Sequence, residues 1–141
     1  MGPILLIDDQ YDFRLMLRDL LEQNGHRVIS VANGREALTV LEKHSFSLIL
    51  TDLYMPMMDG IEMLSRLRSR GSAVPPVIVM TGYEHIGTSS ARSAAEALGA
   101  RAVLIKPFKG EDLLAAIGQV VPAPSTREQS GERMQSPIST G

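Results

Sequence analysis

Five short apolar runs recur along the 141-residue chain, and segments with a helical spacing of apolar side chains separate them. Runs this short and continuous are typical of strands buried on both faces, whereas a longer period of apolar residues indicates helices. Alternating strands and helices predict a doubly wound α/β fold, in which helices cover both faces of a five-stranded parallel sheet. The runs lie at about residues 4–7, 26–31, 46–51, 77–80 and 102–105.

Five helices are predicted between and after the runs. Asp9 is the expected N-cap of the first helix, and Asn24-Gly25 is expected to end it. Asn33-Gly34 is expected to open the second helix. The third, fourth and fifth helices are expected at about residues 61–70, 91–98 and 110–121.

A change in composition divides the chain near Pro122. Residues 1–121 are predicted to form one domain. Residues 122–141 are rich in Pro, Ser, Thr, Gln and Gly and carry no apolar period, so we expect a disordered tail or linker there.

Charge and composition argue against several kinds of function. The net charge is −2 without a densely basic stretch, which argues against direct nucleic-acid binding. The absence of Cys excludes a disulfide framework and a thiolate zinc site. No apolar stretch approaches the roughly 20 residues of a membrane span, so we expect a cytoplasmic domain without a membrane partner.

Three carboxylates follow the first and third runs. In a sheet of strand order 2-1-3-4-5, ligands bind where the order reverses, between strands 1 and 3. Asp8, Asp9 and Asp52 fall at that point, where their mutual repulsion favours a divalent cation such as Mg²⁺. An aspartate can also carry a phosphoryl group as an acyl phosphate, which makes Asp52 a candidate nucleophile.

A hydroxyl and an ammonium follow the last two runs. Thr81 could donate to a phosphoryl oxygen and Gly82 allows close approach of the backbone, although Thr81 could instead bond to its own loop. Lys106 could reach Asp52 or a phosphoryl group, although a surface lysine with a buried stem is the alternative. Pro107 could be preceded by a cis peptide bond.

Placed in this order, the motifs closely resemble the receiver domain of two-component response regulators over about residues 3–121. The resemblance rests on the opening Ile-Leu-Leu-Ile-Asp-Asp, the segment Asp-x-x-Met-Pro-x-Met-Asp-Gly from Asp52, the step Val-Met-Thr-Gly, and Lys-Pro-Phe from Lys106. It implies a flavodoxin-like fold and a signalling module that is not a turnover enzyme. The implied phosphodonor is a histidine kinase or a histidine phosphotransfer protein, and homodimerisation stays open.

The resemblance also implies a role for each motif residue. Asp52 corresponds to the phosphoacceptor, and Asp8 and Asp9 to the Mg²⁺ ligands, joined by Asp52 itself and the backbone carbonyl of Tyr54. Thr81 corresponds to the switch hydroxyl, followed by Gly82, and Lys106 to the phosphate-contacting lysine before Pro107. The implied output surface consists of the fourth helix, the fifth strand and the fifth helix.

Two departures from the family concern the path from the site to that output surface. Val103 stands where receivers often carry Tyr or Phe, so coupling through a rotating ring is not expected. The segment from Thr81 to Gly99 is a few residues longer than usual, and the extra length falls ahead of the fourth predicted helix.

Tyr54 and Tyr83 lie two positions beyond Asp52 and Thr81, where receivers flank the path of attacking water. We expect both rings to hinder hydrolysis and to lengthen the lifetime of the phosphoryl group, unless they only cover the loops. Variants Tyr54→Asn and Tyr83→Ala should then lose the phosphoryl group faster in a dephosphorylation time course. An unchanged decay would contradict this expectation.

Two other functions compete with the receiver. An aspartate-nucleophile phosphatase normally places a second carboxylate just after the nucleophile, whereas Leu53 and Tyr54 follow Asp52. A receiver-like interaction module that is never phosphorylated would not need the complete set of acids, hydroxyl and ammonium.

Overall fold

A computed structural model describes residues 2–53, 60–69, 74–82, 96 and 99–121, and it places a parallel five-stranded sheet at the centre. The strands are β1 (Ile4–Ile7), β2 (Val28–Val31), β3 (Leu48–Asp52), β4 (Val77–Gly82) and β5 (Ala102–Lys106). The helices are α1 (Tyr11–Gln23), α2 (Gly34–Lys43), α3 (Gly60–Ser69) and α4 (Gly110–Val120). The strand order β2-β1-β3-β4-β5 confirms the predicted fold class.

The last of these helices, α4, is the fifth predicted helix. The fourth predicted helix, near residues 91–98, lies outside the described residues apart from Glu96, and so do residues 122–141. Within the described ranges, no helix combines the length and the apolar character that crossing a bilayer requires.

Alternate side chains of the strands pack on opposite faces of the sheet, as the period of two requires. Leu5 and Ile7 of β1 belong to the apolar cluster under α2 and α3. Ile4 and Leu6 belong to the cluster under α1 and α4, together with Leu17 and other residues of those helices. Two apolar cores therefore hold the sheet rigidly between two pairs of helices.

Burial differs between central and edge strands, which corrects the expectation that all strands are buried on both faces. Every residue of β1 and β3 is buried, and so is nearly all of β4. The residues of β5 and most of those of β2 are only partly buried, because these strands lie at the sheet edges. A short apolar run does not reveal whether its strand is central.

Helix starts follow the sequence signals at α2 but not at α1. The Asn33 side chain accepts a hydrogen bond of 2.9 Å from the Glu36 backbone N–H, so Asn33 caps α2 as predicted. The N-cap of α1 is Gln10 rather than Asp9. The Gln10 N–H instead donates to Oδ1 of Asp8 over 2.8 Å, so Asp8 stabilises the turn that leads into α1.

Candidate functional site

Four parallel strands bring their carboxyl ends to one edge of the sheet. Asp8 follows β1 directly, and Asp52 and Lys106 are the last residues of β3 and β5. Thr81 and Gly82 end β4, where Gly82 pairs with Lys106 in the strand register. Strands β3, β4 and β5 extend one or two residues beyond the apolar runs. Their regular backbone therefore orients the polar side chains at the strand ends.

The Lys106 ammonium bridges two buried carboxylates. Its Nζ donates to Oδ2 of Asp52 over 2.7 Å and to Oδ2 of Asp8 over 2.8 Å. The Asp8 side chain is fully buried, and those of Asp52 and Lys106 are 11% and 15% exposed. Such short bonds between charged groups are among the stronger ones in proteins. The lysine therefore connects the outer strand to both central acids.

Burial and hydrogen bonding act in opposite directions on Lys106. Burial of the ammonium lowers its pKa, but the hydrogen bonds and charges of Asp52 and Asp8 outweigh this and raise the pKa above its ordinary value. Lys106 is therefore charged at neutral pH. The contribution of this raised pKa to stability is complete below the ordinary lysine pKa and is lost as the pH rises through the raised one.

Three carboxylates gather beside the lysine. One oxygen from each of Asp8, Asp9 and Asp52 lies within 4.8 Å of the others, and Asp9 is exposed to solvent. The three carboxylates outnumber the neighbouring cations, the Lys106 ammonium and the Arg14 guanidinium, so the formal net charge of the cluster is negative. An all-oxygen donor set with that charge fits a hard divalent cation such as Mg²⁺.

Neighbouring residues fix the backbone of the acids. Arg14 of α1 donates from Nη1 to the Asp8 carbonyl over 2.6 Å. The buried Thr51 hydroxyl donates to the Asp52 carbonyl over 2.8 Å. A Cβ at Gly60 would collide with that same carbonyl, so only glycine lets the start of α3 approach Asp52 this closely. Sequence reasoning missed Arg14 and Thr51 because neither disturbs the strand and helix patterns.

The Thr81 hydroxyl differs from that of Thr51. Thr81 is 4% exposed, and its Oγ1 has no hydrogen-bond partner among the described residues. The alternative in which Thr81 bonds to its own loop finds no support there. A buried hydroxyl without a partner is costly, so its presence at the acidic edge suits a group that binds there and accepts a hydrogen bond.

We expect Thr81→Val to raise the free energy of unfolding by about 1 kcal/mol, because it removes a buried hydroxyl whose hydrogen bond is not made. The matched variant Thr51→Val should lower it by about 1 kcal/mol, because the Thr51 hydroxyl makes its bond. Urea unfolding at neutral pH measures both. A loss of stability in Thr81→Val equal to that in Thr51→Val would show that the Thr81 hydroxyl is satisfied.

An aromatic ring lies beside the ammonium and contacts a second ring. Nζ of Lys106 lies 4.4 Å from the ring centroid of Phe13, in the first turn of α1. The Phe13 ring meets the ring of Phe108 edge to face, with centroids 5.9 Å apart. Helical spacing places Phe13 on the apolar face of α1, but that pattern does not reveal a contact with the site.

Of the remaining predicted site residues, the structure describes Pro107 but not Tyr54 or Tyr83. The peptide bond between Lys106 and Pro107 is cis, one of the two forms that an X–Pro bond readily adopts. Tyr54 and Tyr83 lie outside the described residues.

The strand order and the acidic edge define the class of open, doubly wound α/β proteins with a ligand site at the reversal of strand order. Residues 4–118 match the model of the response regulator receiver domain, and the chain belongs to this family. Receiver domains are signalling modules that histidine kinases or phosphotransfer proteins phosphorylate.

Known proteins agree with this assignment. Sporulation initiation phosphotransferase F of Bacillus subtilis is 34% identical over 86% of this chain and 95% of its own length. Five further curated relatives are longer, and the chain spans between 17% and 55% of their length. Among solved structures, chemotaxis protein CheY4 of Vibrio cholerae has a TM-score of 0.77 and 31% identity, over 86% of this chain and 99% of that one.

A second solved structure is response regulator protein TrrA of Thermotoga maritima in complex with Mg²⁺-BeF. It is 25% identical, with a TM-score of 0.72, over 86% of this chain and 100% of that one.

Proposed function

We propose that residues 1–121 act as a cytoplasmic two-component receiver that takes a phosphoryl group on Asp52 from a histidine kinase or a histidine phosphotransfer protein. The observation that carries this proposal is the environment of Asp52. Its carboxylate ends a buried strand, lies within 4.8 Å of two other acids and is hydrogen-bonded to Lys106. This arrangement places a carboxylate nucleophile between two acids that can hold a divalent cation and an ammonium that can compensate the charge of a phosphoryl group.

The transfer forms one bond and breaks one. An oxygen of the Asp52 carboxylate bonds to phosphorus, while the bond between phosphorus and the donor's histidine nitrogen breaks and leaves its electron pair on that nitrogen. Lys106 donates to one phosphoryl oxygen and the Thr81 hydroxyl to another, which gives the partnerless hydroxyl an acceptor. The Gly82 N–H adds a donor, and Pro107 restrains the backbone after the lysine.

Asp8, Asp9 and Asp52, with the backbone carbonyl of Tyr54, would hold Mg²⁺. The bound ion would neutralise charge on the carboxylates and on the phosphoryl oxygens. The carboxylate oxygens within 4.8 Å of one another and the net negative charge of the cluster support this ligand set. The complex of TrrA with Mg²⁺-BeF supports Mg²⁺ as the ion.

Phosphorylation would bias a two-state equilibrium that begins at Thr81. The output surface would comprise the fourth predicted helix, at about residues 91–98, together with β5 and α4, which is the fifth predicted helix. Val103 of β5 has no ring that could rotate, and it packs against the cluster under α2 and α3. We therefore propose that coupling of the site to the output surface depends on movement of Thr81. We propose further that Tyr54 and Tyr83 slow the loss of the phosphoryl group.

Incubation with Mg²⁺ and acetyl phosphate, followed by intact-mass measurement, tests the proposal. We expect the mass to rise by one phosphoryl group, and the rise to disappear when EDTA removes the metal. Acetyl phosphate needs no docking surface, so the assay reports on the site alone.

The same assay separates the competing functions. A protein that gains no mass would be an interaction module that is never phosphorylated. A protein that consumes the donor rapidly and does not accumulate the phosphorylated form would be a phosphatase. Either result would overturn the receiver proposal.

A further inference from the structure

The Lys106 ammonium has three N–H donors, and two of them go to Asp52 and Asp8. The ring of Phe13 also lies beside the ammonium, with its centroid 4.4 Å from Nζ. An aromatic face attracts a cation within about 6 Å of its centroid, and more strongly when water is excluded. Carboxylates and an aromatic face therefore both hold the ammonium.

Phe13 is itself held in place. Its ring meets Phe108 edge to face at an interplanar angle of 76°, and both rings are partly buried. Phe13 belongs to α1, whereas Phe108 comes two residues after Lys106. The ring pair thus connects the helix after the acidic pair to the segment after the lysine.

We propose that Phe13 is a positioning residue for phosphoryl transfer, which holds the Lys106 ammonium in place through its ring face. This inference rests on the proposed function and adds a residue to that site. A lysine side chain has many rotamers, and a contact that restricts them keeps the ammonium directed at the acids. Leucine would fill much of the space of the ring but would not attract the cation.

The rate of phosphorylation by acetyl phosphate with Mg²⁺ gives the first test. We expect Phe13→Leu to slow it roughly three- to tenfold, and Phe13→Tyr, which retains the ring, to stay within about twofold of the wild type. Phe46→Leu is the matched control, because Phe46 is buried on the opposite face of the sheet and also makes an edge-to-face ring contact, with His44. It should leave the rate unchanged.

A second test needs no phosphodonor. Protons over a ring face resonate upfield, so the ε-methylene protons of Lys106 should be shifted upfield in the wild type and in Phe13→Tyr. They should return toward ordinary values in Phe13→Leu and in Phe13→Met, a second ringless variant should the first not fold.

A third test measures the coupling of the two side chains. Phe13→Leu should increase the unfolding equilibrium constant in both the wild type and Lys106→Met. The fold-increase should be about three times smaller in Lys106→Met, where the cation is absent. A wild type that takes no phosphoryl group would overturn the proposed function. A wild type that is phosphorylated, with an unshifted ε-methylene signal or with equal loss of rate in Phe13→Tyr and Phe13→Leu, would overturn the role of Phe13 alone.

Discussion

We expect Asp52→Asn to abolish the gain of a phosphoryl group from acetyl phosphate. Asparagine has nearly the shape of aspartate, but its amide cannot form the acyl phosphate by nucleophilic attack. The variant should remain folded, because Lys106 keeps its hydrogen bond of 2.8 Å to the buried Asp8. Intact-mass measurement of both proteins under the same conditions provides the comparison.

The matched control is Asp12→Asn, in the exposed first turn of α1. It removes the same charge close to the site without touching the acceptor, so its phosphorylation should match the wild type. A phosphoryl gain that persists in Asp52→Asn would place the acceptor elsewhere. Peptide mapping of the labile phosphoryl group would then identify the residue.

The position of the acids could be predicted because it follows from chain topology. Parallel strands end at the same sheet edge, and in the order 2-1-3-4-5, one of the common orders of doubly wound sheets, strands 1 and 3 are neighbours. Asp8 and Asp52 were therefore expected to meet, and the structure brings them to one lysine. The prediction needed no knowledge of side-chain rotamers.

Other features depend on packing and could not be predicted. The sequence shows that Thr81 ends a strand, but not that its hydroxyl is buried without a partner while that of Thr51 is bonded. Helical spacing places Phe13 on the apolar face of α1, but it does not show that the ring reaches Lys106, about 90 residues further along the chain. The ring contact arises because Lys106 lies on the face of β5 that packs under α1, as Ala102 and Leu104 do.

The start of α1 shows how one residue can compete with another for the same role. Asp9 has the side chain of a good N-cap, yet Gln10 occupies the cap position and Asp8 accepts its N–H. Asp9 is left exposed beside Asp8 and Asp52, with an oxygen within reach of the same ion. The local rule failed where the side chain belongs to the candidate metal site.

We expect Lys106→Met to lower the free energy of unfolding by about 3 kcal/mol at neutral pH without Mg²⁺. Methionine retains most of the apolar stem but removes the cation, so two carboxylates, one of them fully buried, face each other without it. Removing one partner of a buried ion pair costs more than the pair itself contributes, because the remaining charge stays buried. Urea unfolding measures the change, and Lys109→Met, at an exposed lysine, should stay within about 0.5 kcal/mol of the wild type.

Magnesium distinguishes this electrostatic cause from lost packing. Without the ammonium, the three carboxylates should bind Mg²⁺ more tightly. A ligand that binds only the folded state raises stability by RT ln(1 + c/Kd) at a free concentration c, so tighter binding gives more stabilisation at the same Mg²⁺ concentration. Added Mg²⁺ should therefore stabilise Lys106→Met more than the wild type and narrow the difference between them. A difference that stays constant across a Mg²⁺ titration would mean that the charge of Lys106 does not balance Asp8 and Asp52.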